Sequence, residues 1–370
     1  MSHLLVTGGS GFIGANFIQY WLPQHPDDSV VLLDALTYAG NPANLDPVRS
    51  SPRLTFVHGD IRTPSLAEPL LRDHEITILV HFAAESHVDR SITGPDPFLE
   101  TNVLGTHELL KAARQVWLEE GRGGAGCRFH HISTDEVYGS LGPDDPPFTE
   151  ETSYAPNSPY AASKAASDHL VRAYHRTYGL PVTITNCSNN YGPYQFPEKL
   201  IPLAIVHALD GKAIPLYGDG LQVRDWLYVE DHCRAIERVL SIEAAGETYN
   251  LGGQSQWSNI EVVQLISRML DEAFAADPGL PRRFPGSPAA RGRTASLITR
   301  VPDRAGHDRR YATSNEKIER EVGFRPTESF ETGLRRTVLW YLQHERWWRT
   351  VMDGSYREWI RRQYGPIVSF

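Results

Sequence analysis

Short apolar runs alternate with longer amphipathic stretches through the first half of the chain. The runs that are typical of strands are HLLVTGG, VVLLDAL, LTFVHGD, ITILVHFAA, FHHIST and PVTITNC. Strands that are separated by helices pair in parallel, and a parallel sheet is covered by helices on both faces. The alternation therefore predicts an α/β fold that is built on a doubly wound parallel sheet.

The second half of the chain has a different character. From about residue 193 the alternation weakens and Pro, Tyr and Trp become more frequent, which indicates a smaller C-terminal lobe. We expect a first lobe over 1–192 that returns at about 225–252, and a second lobe over most of 193–370, with a discontinuous boundary. Residues 278–294, PGLPRRFPGSPAARGRT, are rich in Pro, Gly and Arg, and this composition predicts a solvated loop.

Charge and cysteine content argue against several classes of protein. The net charge of -9 and the pI near 5.9 disfavour the general basic surface that nucleic-acid binding requires. The three cysteines form no CxxC pair and the histidines lack metal-ligand spacing, so we expect neither disulfides nor a metal site. No leader precedes the first strand and no apolar run reaches membrane-spanning length. We therefore expect a cytoplasmic protein with no membrane partner.

A glycine-rich turn lies between the first predicted strand and the helix after it. In LLVTGGSGFIGANFI, the residues Gly8, Gly11 and Gly14 allow the backbone to turn tightly and to approach a pyrophosphate at the helix N-terminus. Asp34 follows Gly14 at about the spacing of the acid that binds an adenosine ribose. The pattern predicts a Rossmann-like dinucleotide site, and the carboxylate of Asp34 favours NAD over NADP because it repels a 2'-phosphate.

Tyr160 and Lys164 lie four residues apart in SPYAASKAASDHLV, on one face of a predicted helix. Tyrosine is a poor base near neutral pH, but a nearby ammonium favours the phenolate. By themselves such residues are commonly a surface pair. Together with the glycine-rich turn, and with Ser133 and Thr134 at the end of a preceding strand, they predict a base that takes a proton from a sugar hydroxyl.

These motifs resemble those of the extended short-chain dehydrogenases, and among them the dTDP-glucose 4,6-dehydratase family. The most specific matching stretches are STDEVYG and NNYGPYQFPEKLIPL, and the likeness extends from residue 6 to the C-terminal GSYREWIRRQYG. The chain departs from the family pattern at Ala305, where proline is usual, at Ser314, where aspartate is common, and in the Arg-rich insertion before SLITR. The insertion leaves the shape of the substrate lobe open.

The resemblance implies NAD as cofactor and dTDP-glucose as substrate. The implied cofactor-binding residues are Gly8, Gly11, Phe12, Ile13, Gly14, Asp34, Thr37, Asp60, Ile61, Thr101, Tyr160 and Lys164. For Asp60, a contact with adenine and a role in capping a turn are equally favoured by the sequence. The implied substrate-binding residues are Ser86, Asn189, Lys199, Pro215, Tyr217, Arg224, Asn259, Arg304 and His307. Among these, the resemblance assigns Pro215 and Tyr217 to a thymine-facing wall.

The adjacent acids Asp135 and Glu136 follow Thr134 in STDEVYG. In isolation, acids at such a position commonly start a helix or turn. In the family's reaction, oxidation at sugar C4 makes the C5 hydrogen acidic. The resemblance then implies that Glu136 removes the C5 proton as a general base and that Asp135 protonates the departing C6 hydroxyl as a general acid. Neighbouring carboxylates in a dry site push their pKa values apart, which allows the two roles at one pH.

Two other readings of the motifs remain open. A nucleotide-sugar 4-epimerase would use the same turn and the same Tyr160/Lys164 pair, but it would leave Asp135 and Glu136 without a task. A catalytically idle NAD-binding protein would keep the first lobe but would have no reason to retain Tyr160, Lys164 and the adjacent acids together. The predicted helices at about 98–120 and 156–178 carry apolar and polar faces, and by resemblance we expect them to form a homodimer interface.

Overall fold

A parallel sheet forms the centre of the fold in a computed structural model of the chain, which describes residues 1–123, 126–352 and 354–364. Within these residues the sheet has seven strands in the order β10-β6-β5-β4-β1-β2-β3, and every adjacent pair is parallel. The strands of the chain are β1 (His3–Thr7), β2 (Ser29–Asp34), β3 (Leu54–His58), β4 (Ile78–His81), β5 (Arg128–Thr134), β6 (Val182–Cys187), β7 (Asn189–Tyr191), β8 (Ile214–Tyr217), β9 (Val223–Tyr228), β10 (Glu247–Leu251), β11 (Gln256–Ser258) and β12 (Ile298–Val301). The predicted doubly wound fold is confirmed.

Helices pack against both faces of this sheet. The helices of the chain are α1 (Phe12–Gln24), α2 (Ala67–Asp73), α3 (Val88–Thr93), α4 (Asp96–Phe98), α5 (Thr106–Ala113), α6 (Pro159–Tyr178), α7 (Leu200–Asp210), α8 (Val229–Ser241), α9 (Asn259–Ala276), α10 (Leu280–Arg283), α11 (Glu316–Val322), α12 (Phe330–Gln343), α13 (Glu345–Val351) and α14 (Gly354–Tyr364). Leu99–Gly105 and Arg114–Glu119 are π-helical and flank α5. Short 3-10 turns span Pro42–Leu45, Asp135–Tyr138, Pro288–Arg291 and Thr294–Leu297.

Alternate residues of each strand place their apolar side chains on opposite faces of the central sheet. On β1, Leu4 packs with α1 and α8 on one face, while Leu5 packs with α5 and α6 on the other. Successive side chains of a strand point in opposite directions, so a strand that is covered on both faces needs apolar residues at every position. This requirement explains the uninterrupted apolar runs in the sequence.

The C-terminal part of the chain has its own core beside the sheet. A three-stranded sheet of order β11-β9-β7 and the pair β12-β8 pack with α7, α9, α12 and α13. Its largest fully buried side chains include Trp348, Tyr341 and Phe330. Strand β10 and helix α8 lie in the first lobe's layers, whereas β9 belongs to the small sheet. The chain therefore passes between the two cores more than once.

The insertion at 278–294 is not the solvated loop that its composition predicted. It forms α10 and the turn Pro288–Arg291, and it inserts Leu280, Phe284 and Ala289 into the C-terminal core. Prediction from composition was wrong here because Leu280, Phe284 and Ala289 are buried, while the four arginines of the segment are exposed. None of the helices in the described ranges is long and apolar enough to cross a membrane.

Candidate active site

One cavity of about 640 Å³ lies between the carboxyl ends of the parallel strands and the C-terminal lobe. Open α/β sheets bind their ligands at this edge, because loops and helix N-termini converge there. All residues that the sequence singled out for cofactor, substrate or catalysis line this cavity. Their shared location is compatible with one ligand-binding cleft and leaves the role of each residue to be tested.

The glycine-rich turn brings backbone close to backbone at one end of the cavity. Gly8 has φ +72, and a Cβ on Gly14 would lie 2.6 Å from the Gly8 carbonyl oxygen. Helix α1 begins after Gly11 with no side chain capping its first amides. A side-chain-free turn with free amides at a helix N-terminus is the arrangement that accepts a pyrophosphate. The turn therefore fits the diphosphate of a dinucleotide.

An acid ends β2 and another follows β3, and both line the cavity. The Asp34 carboxylate accepts hydrogen bonds from the backbone N–H of Ser10 at 2.8 Å and of Leu36 at 2.8 Å. Burial raises the pKa of Asp34, and these two hydrogen bonds oppose the rise. Asp60 instead accepts from the backbone and the guanidinium of Arg62, which holds the pKa of Asp60 below its ordinary value. Asp60 thus caps a turn in this structure, which was one of its two expected roles.

The three residues Thr134, Asp135 and Glu136 occupy the end of β5 and the 3-10 turn that follows. The Thr134 hydroxyl accepts a hydrogen bond from the Glu136 backbone N–H at 3.3 Å, which caps the turn. Asp135 is fully buried, while Glu136 faces the cavity and is only half-buried. The carboxyl groups of Asp135 and Glu136 therefore have different surroundings, although the two residues are neighbours in the sequence.

These surroundings act differently on the pKa values of the two acids. Burial raises the pKa of Asp135 well above its ordinary value, and the charges of Glu136 and Asp225 add to the rise. Burial also raises the pKa of Glu136, but the cations Arg304, Lys199 and Arg224 oppose it. A protonated Asp135 beside an ionised Glu136 is the arrangement that a general acid and a general base require.

Tyr160 and Lys164 come from helix α6, whose first turn is capped by Ser158. Burial and the nearby Glu136 charge raise the pKa of Tyr160 well above its ordinary value, whereas a hydrogen bond with Thr134 opposes the rise. The Lys164 ammonium donates to the Ile132 carbonyl at 2.8 Å and lies 3.3 Å from Nε2 of His131.

Cations gather on the side of the cavity opposite the glycine-rich turn. The Arg224 guanidinium donates to the carbonyl oxygens of Val223 and Asp308 and stacks over the Tyr311 ring. Lys199 donates to the Ser86 carbonyl at 3.0 Å. Such fixed cations in an acidic chain form the local basic pocket that an anionic ligand needs.

The remaining predicted substrate residues surround these cations. The Tyr217 hydroxyl donates to Asp89 at 3.0 Å, and the same carboxylate accepts from Arg304 at 3.3 Å. His307 pairs with Asp303 at 2.6 Å. Asn189 lies on β7, Pro215 on β8 and Asn259 at the start of α9. The cavity is thus lined by aromatic, amide and cationic side chains at this end.

Sequence reasoning missed several lining residues, notably Asp89, Glu198 and Tyr364. Asp89 joins Tyr217 to Arg304, and Glu198 accepts from Tyr38 and Arg90. Tyr364 comes from the last described turn of α14, beside Gln363, which donates to the Tyr217 hydroxyl at 2.6 Å. Glu198 lies in NNYGPYQFPEKLIPL and Tyr364 in GSYREWIRRQYG, two stretches that carried the family resemblance, and those positions were the available signal.

Comparison with known proteins shows the family to which this chain belongs. The model of the GDP-mannose 4,6 dehydratase family matches residues 5–337. A dTDP-glucose 4,6-dehydratase of Escherichia coli is 52% identical over 95% of this chain and 97% of its own length. The crystal structure of a dTDP-glucose 4,6-dehydratase from Streptomyces venezuelae, with NAD and TYD bound, is 50% identical, with a TM-score of 0.82, over 94% of this chain and 99% of that one.

Epimerases share the fold at lower identity. A UDP-glucose 4-epimerase from Thermotoga maritima is 25% identical, with a TM-score of 0.76, over 92% of this chain and 99% of that one. The higher identity to the dehydratases favours them over the epimerase alternative. By its sequence and its structure, the chain belongs to the dTDP-glucose 4,6-dehydratase family.

Proposed function

We propose that the protein is an NAD-dependent hydro-lyase that converts dTDP-glucose to dTDP-4-keto-6-deoxyglucose. The observation that carries the proposal is the pair Asp135 and Glu136, which lines the same cavity as Tyr160 and has the surroundings of an acid beside a base. An epimerase needs no such pair, because it acts at C4 alone.

The residues would hold NAD along the carboxyl edge of the sheet. The turn at Gly8, Gly11 and Gly14 would receive the diphosphate, and Asp34 would bind the adenosine ribose. Thr37, Asp60, Ile61 and Thr101 line the same part of the cavity, with Phe12 and Ile13 at the start of α1. When bound, NAD supplies a hydride acceptor for sugar C4 and returns that hydride to C6.

Tyr160 would open the reaction by taking the proton of the C4 hydroxyl, with the Thr134 hydroxyl bonded to the same oxygen. Glu136 would then remove the C5 hydrogen, which the C4 ketone has made acidic. Asp135 would give its proton to the departing C6 hydroxyl, so that water leaves. Glu136 finally returns a proton to C5, and the proton left on Tyr160 replaces the one that Asp135 gave up.

The nucleotide would be held at the cationic end of the cavity. We assign Arg224, Lys199 and Arg304 to the diphosphate, because a guanidinium can donate two hydrogen bonds to a phosphate and a lysine ammonium adds a compact positive charge. Pro215 and Tyr217 would face the thymine, and Ser86 would contact the sugar. Asn189, Asn259 and His307 complete the nucleotide contacts. On this assignment, residues 1–192 with the return at 225–252 bind mainly NAD, and 193–370 bind mainly the nucleotide.

The helices beside the first lobe support a homodimer. Leu99, Leu104 and Tyr178 are large apolar side chains that stay exposed on the π-helical segment and at the end of α6. Large apolar side chains that stay exposed along two helical segments support the proposed interface. Light scattering at micromolar protein should give twice the chain mass, and a monomer would reject this part of the proposal. A cytoplasmic location is supported by the three free, buried thiols Cys127, Cys187 and Cys233.

The proposed reaction is tested by the structure of the product. The protein with NAD and dTDP-glucose should yield a nucleotide sugar whose proton NMR spectrum contains a C6 methyl group and lacks a C4 proton. A sugar that keeps its C6 hydroxyl and is inverted at C4 would identify an epimerase instead. No turnover despite NAD binding would favour the idle NAD-binding protein.

A further inference from the structure

A buried polar cluster lies behind Tyr160 and Lys164 and has no task in the proposed steps. Its members are His131, Ser133, Tyr154, Ser167, Asp168 and Asn186. Asp168 and His131 are fully buried. An ionised carboxylate is costly in such a place unless partners compensate its charge. The cluster therefore needs a reason that packing alone does not give.

Asp168 is the centre of this cluster. Its Oδ2 accepts hydrogen bonds from the hydroxyls of Ser133 at 2.8 Å and Tyr154 at 2.9 Å. Its Oδ1 lies 3.2 Å from Nε2 of His131. Burial disfavours ionisation of Asp168, yet its contacts with His131, Lys164 and Ser133 leave its pKa below the ordinary value. Asp168 is thus an anion inside the fold.

Lys164 is the cation that this anion faces. The two residues are one helical turn apart on α6, so they share a face. Burial lowers the pKa of Lys164 to about 8, and the charge of Asp168 is the strongest interaction that opposes the lowering. His131 lies between the two, within 3.3 Å of the Lys164 ammonium and 3.2 Å of the Asp168 carboxylate.

We propose that Asp168 is a positioning residue of the active site, which keeps Lys164 in its charged form and meets it at the shared Nε2 atom of His131. Through Ser133 the same carboxylate also ties α6, which carries Tyr160 and Lys164, to the end of β5, which carries Thr134. The inference rests on the proposed function, because it concerns the charge beside the proposed base. It assigns Asp168 no contact with substrate or cofactor.

The ionisable groups that face Lys164 come from several elements. They are Tyr160 and Asp168 on α6, His131 on β5, His81 on β4 and Cys187 on β6. Burial lowers the pKa of His131 to about 4 and that of His81 well below its ordinary value, so both rings are neutral at neutral pH. Burial raises the pKa of the Cys187 thiol to about 12. Asp168 is therefore the anion of this set.

The direct test is the titration of Lys164 itself. The chain has only five lysines, so NMR of protein labelled with ¹³C at lysine Cε can follow each one, and Lys164→Met assigns the signal. In the unsubstituted protein Lys164 should be charged at pH 7 despite its burial. In Asp168→Asn its pKa should fall by about one unit or more, because an opposite charge has been removed. A neutral Lys164 at pH 7 in the unsubstituted protein would overturn the proposal, whether or not the variant folds.

Matched variants separate the charge from the packing. Ser133→Ala and Tyr154→Phe remove hydrogen-bond partners of Asp168 but keep its charge. The pKa of Lys164 should therefore stay the same in both variants. Asp231→Asn removes a buried carboxylate on α8 that accepts from the backbone N–H groups of Thr327 and Glu328. It should lower the melting temperature and leave Lys164 unchanged. If the pKa of Lys164 shifts equally in Asp231→Asn and in Asp168→Asn, Asp168 is only a structural residue.

The pH dependence of the dehydration rate tests the same inference through the activity of the protein. Lys164 is charged below its pKa, so in Asp168→Asn the alkaline fall in rate should move to lower pH, with about a fivefold loss at pH 8 for a one-unit shift. If the unsubstituted protein dehydrates dTDP-glucose but the alkaline fall in rate stays at the same pH in Asp168→Asn, this inference is overturned and the proposed function is not. If the unsubstituted protein does not dehydrate, the proposed function fails, while the NMR titration still decides the charge of Lys164.

Discussion

The Thr134 hydroxyl accepts a hydrogen bond from the backbone N–H of Glu136 at 3.3 Å and also interacts with the Tyr160 phenol, where it opposes the rise of the tyrosine's pKa. One hydroxyl therefore links the residue that would open the reaction to the turn that carries the proposed general base. Its position at the end of a central strand fixes the geometry of both.

Replacing Thr134 should slow the reaction while the fold persists. Thr134→Val keeps the shape of the side chain but removes the hydroxyl, so we expect kcat to fall by about tenfold to a hundredfold, as for the loss of one or two hydrogen bonds. Thr134→Ser retains the hydroxyl and should stay within a few-fold of the original rate. Steady-state kinetics compares the two, and an equal loss in both would contradict the role of the hydroxyl.

Glu136→Gln should separate oxidation from elimination. The amide cannot remove the C5 proton, so we expect elimination to slow by about 10²–10⁴-fold, whereas NAD binding and C4 oxidation persist. Rapid quenching and mass spectrometry should detect the 4-keto sugar that still carries its C6 hydroxyl. Glu151→Gln, at an exposed position outside the cavity, is the matched control. Dehydration at the original rate would show that the base is misassigned.

Arg304 should set the acid limit of the reaction. Glu136 acts as a base only when ionised, above its pKa, and Arg304 is the strongest of the charges that lower this pKa. In Arg304→Met the pKa should rise, so the acid fall in kcat at saturating substrate should move to higher pH. Arg309→Met removes an exposed guanidinium that pairs with Asp219. In this control variant the acid fall in kcat should stay at the same pH. A shift to lower pH in Arg304→Met would contradict the electrostatic assignment.

Asp34 should determine the choice of cofactor. Its carboxylate follows β2 and would repel a 2'-phosphate, so Asp34→Asn should weaken NAD binding and narrow the preference for NAD over NADP. Calorimetry measures both dissociation constants. Asp60→Asn alters a carboxylate that is paired with Arg62 and should change both affinities equally. An unchanged ratio in Asp34→Asn would remove Asp34 from the ribose site.

The buried part of the Arg-rich insertion should contribute to stability. Phe284 lies in the C-terminal core, so Phe284→Ala should lower the free energy of unfolding by about 3–5 kcal/mol. Arg282→Ala, at an exposed position of α10, should change it little. Urea denaturation compares the variants, and a small effect of Phe284→Ala would show that the insertion is dispensable for folding.

The sequence predicted the features that depend on local pattern. The strands follow from apolar runs that a two-faced sheet requires, and Gly8, Gly14 and Asp34 follow from the spacing of one strand–turn–helix unit. Interactions between distant segments were out of reach. The pairing of Asp89 with Tyr217 and Arg304, and the buried contacts of Asp168, join residues that no local period relates.

One expectation failed for a physical reason that sequence does not display. The composition of 278–294 hid the inward direction of Phe284, because average polarity says nothing about which side chains face the core. The spacing of Tyr160 and Lys164 placed both on one helical face, but the ammonium extends to the Ile132 carbonyl. Burial and the charge of Glu136, which comes from another element, raise the pKa of Tyr160.

The central claim is that C4 oxidation, loss of water and reduction at C6 occur in one cavity. Mass spectrometry of dTDP-glucose, incubated with the protein and NAD in heavy water, tests it most directly. The account predicts a product that has lost one water and carries one solvent deuteron, at C5, because Glu136 exchanges its proton before returning it. A product of unchanged mass with inverted configuration at C4 would contradict the account.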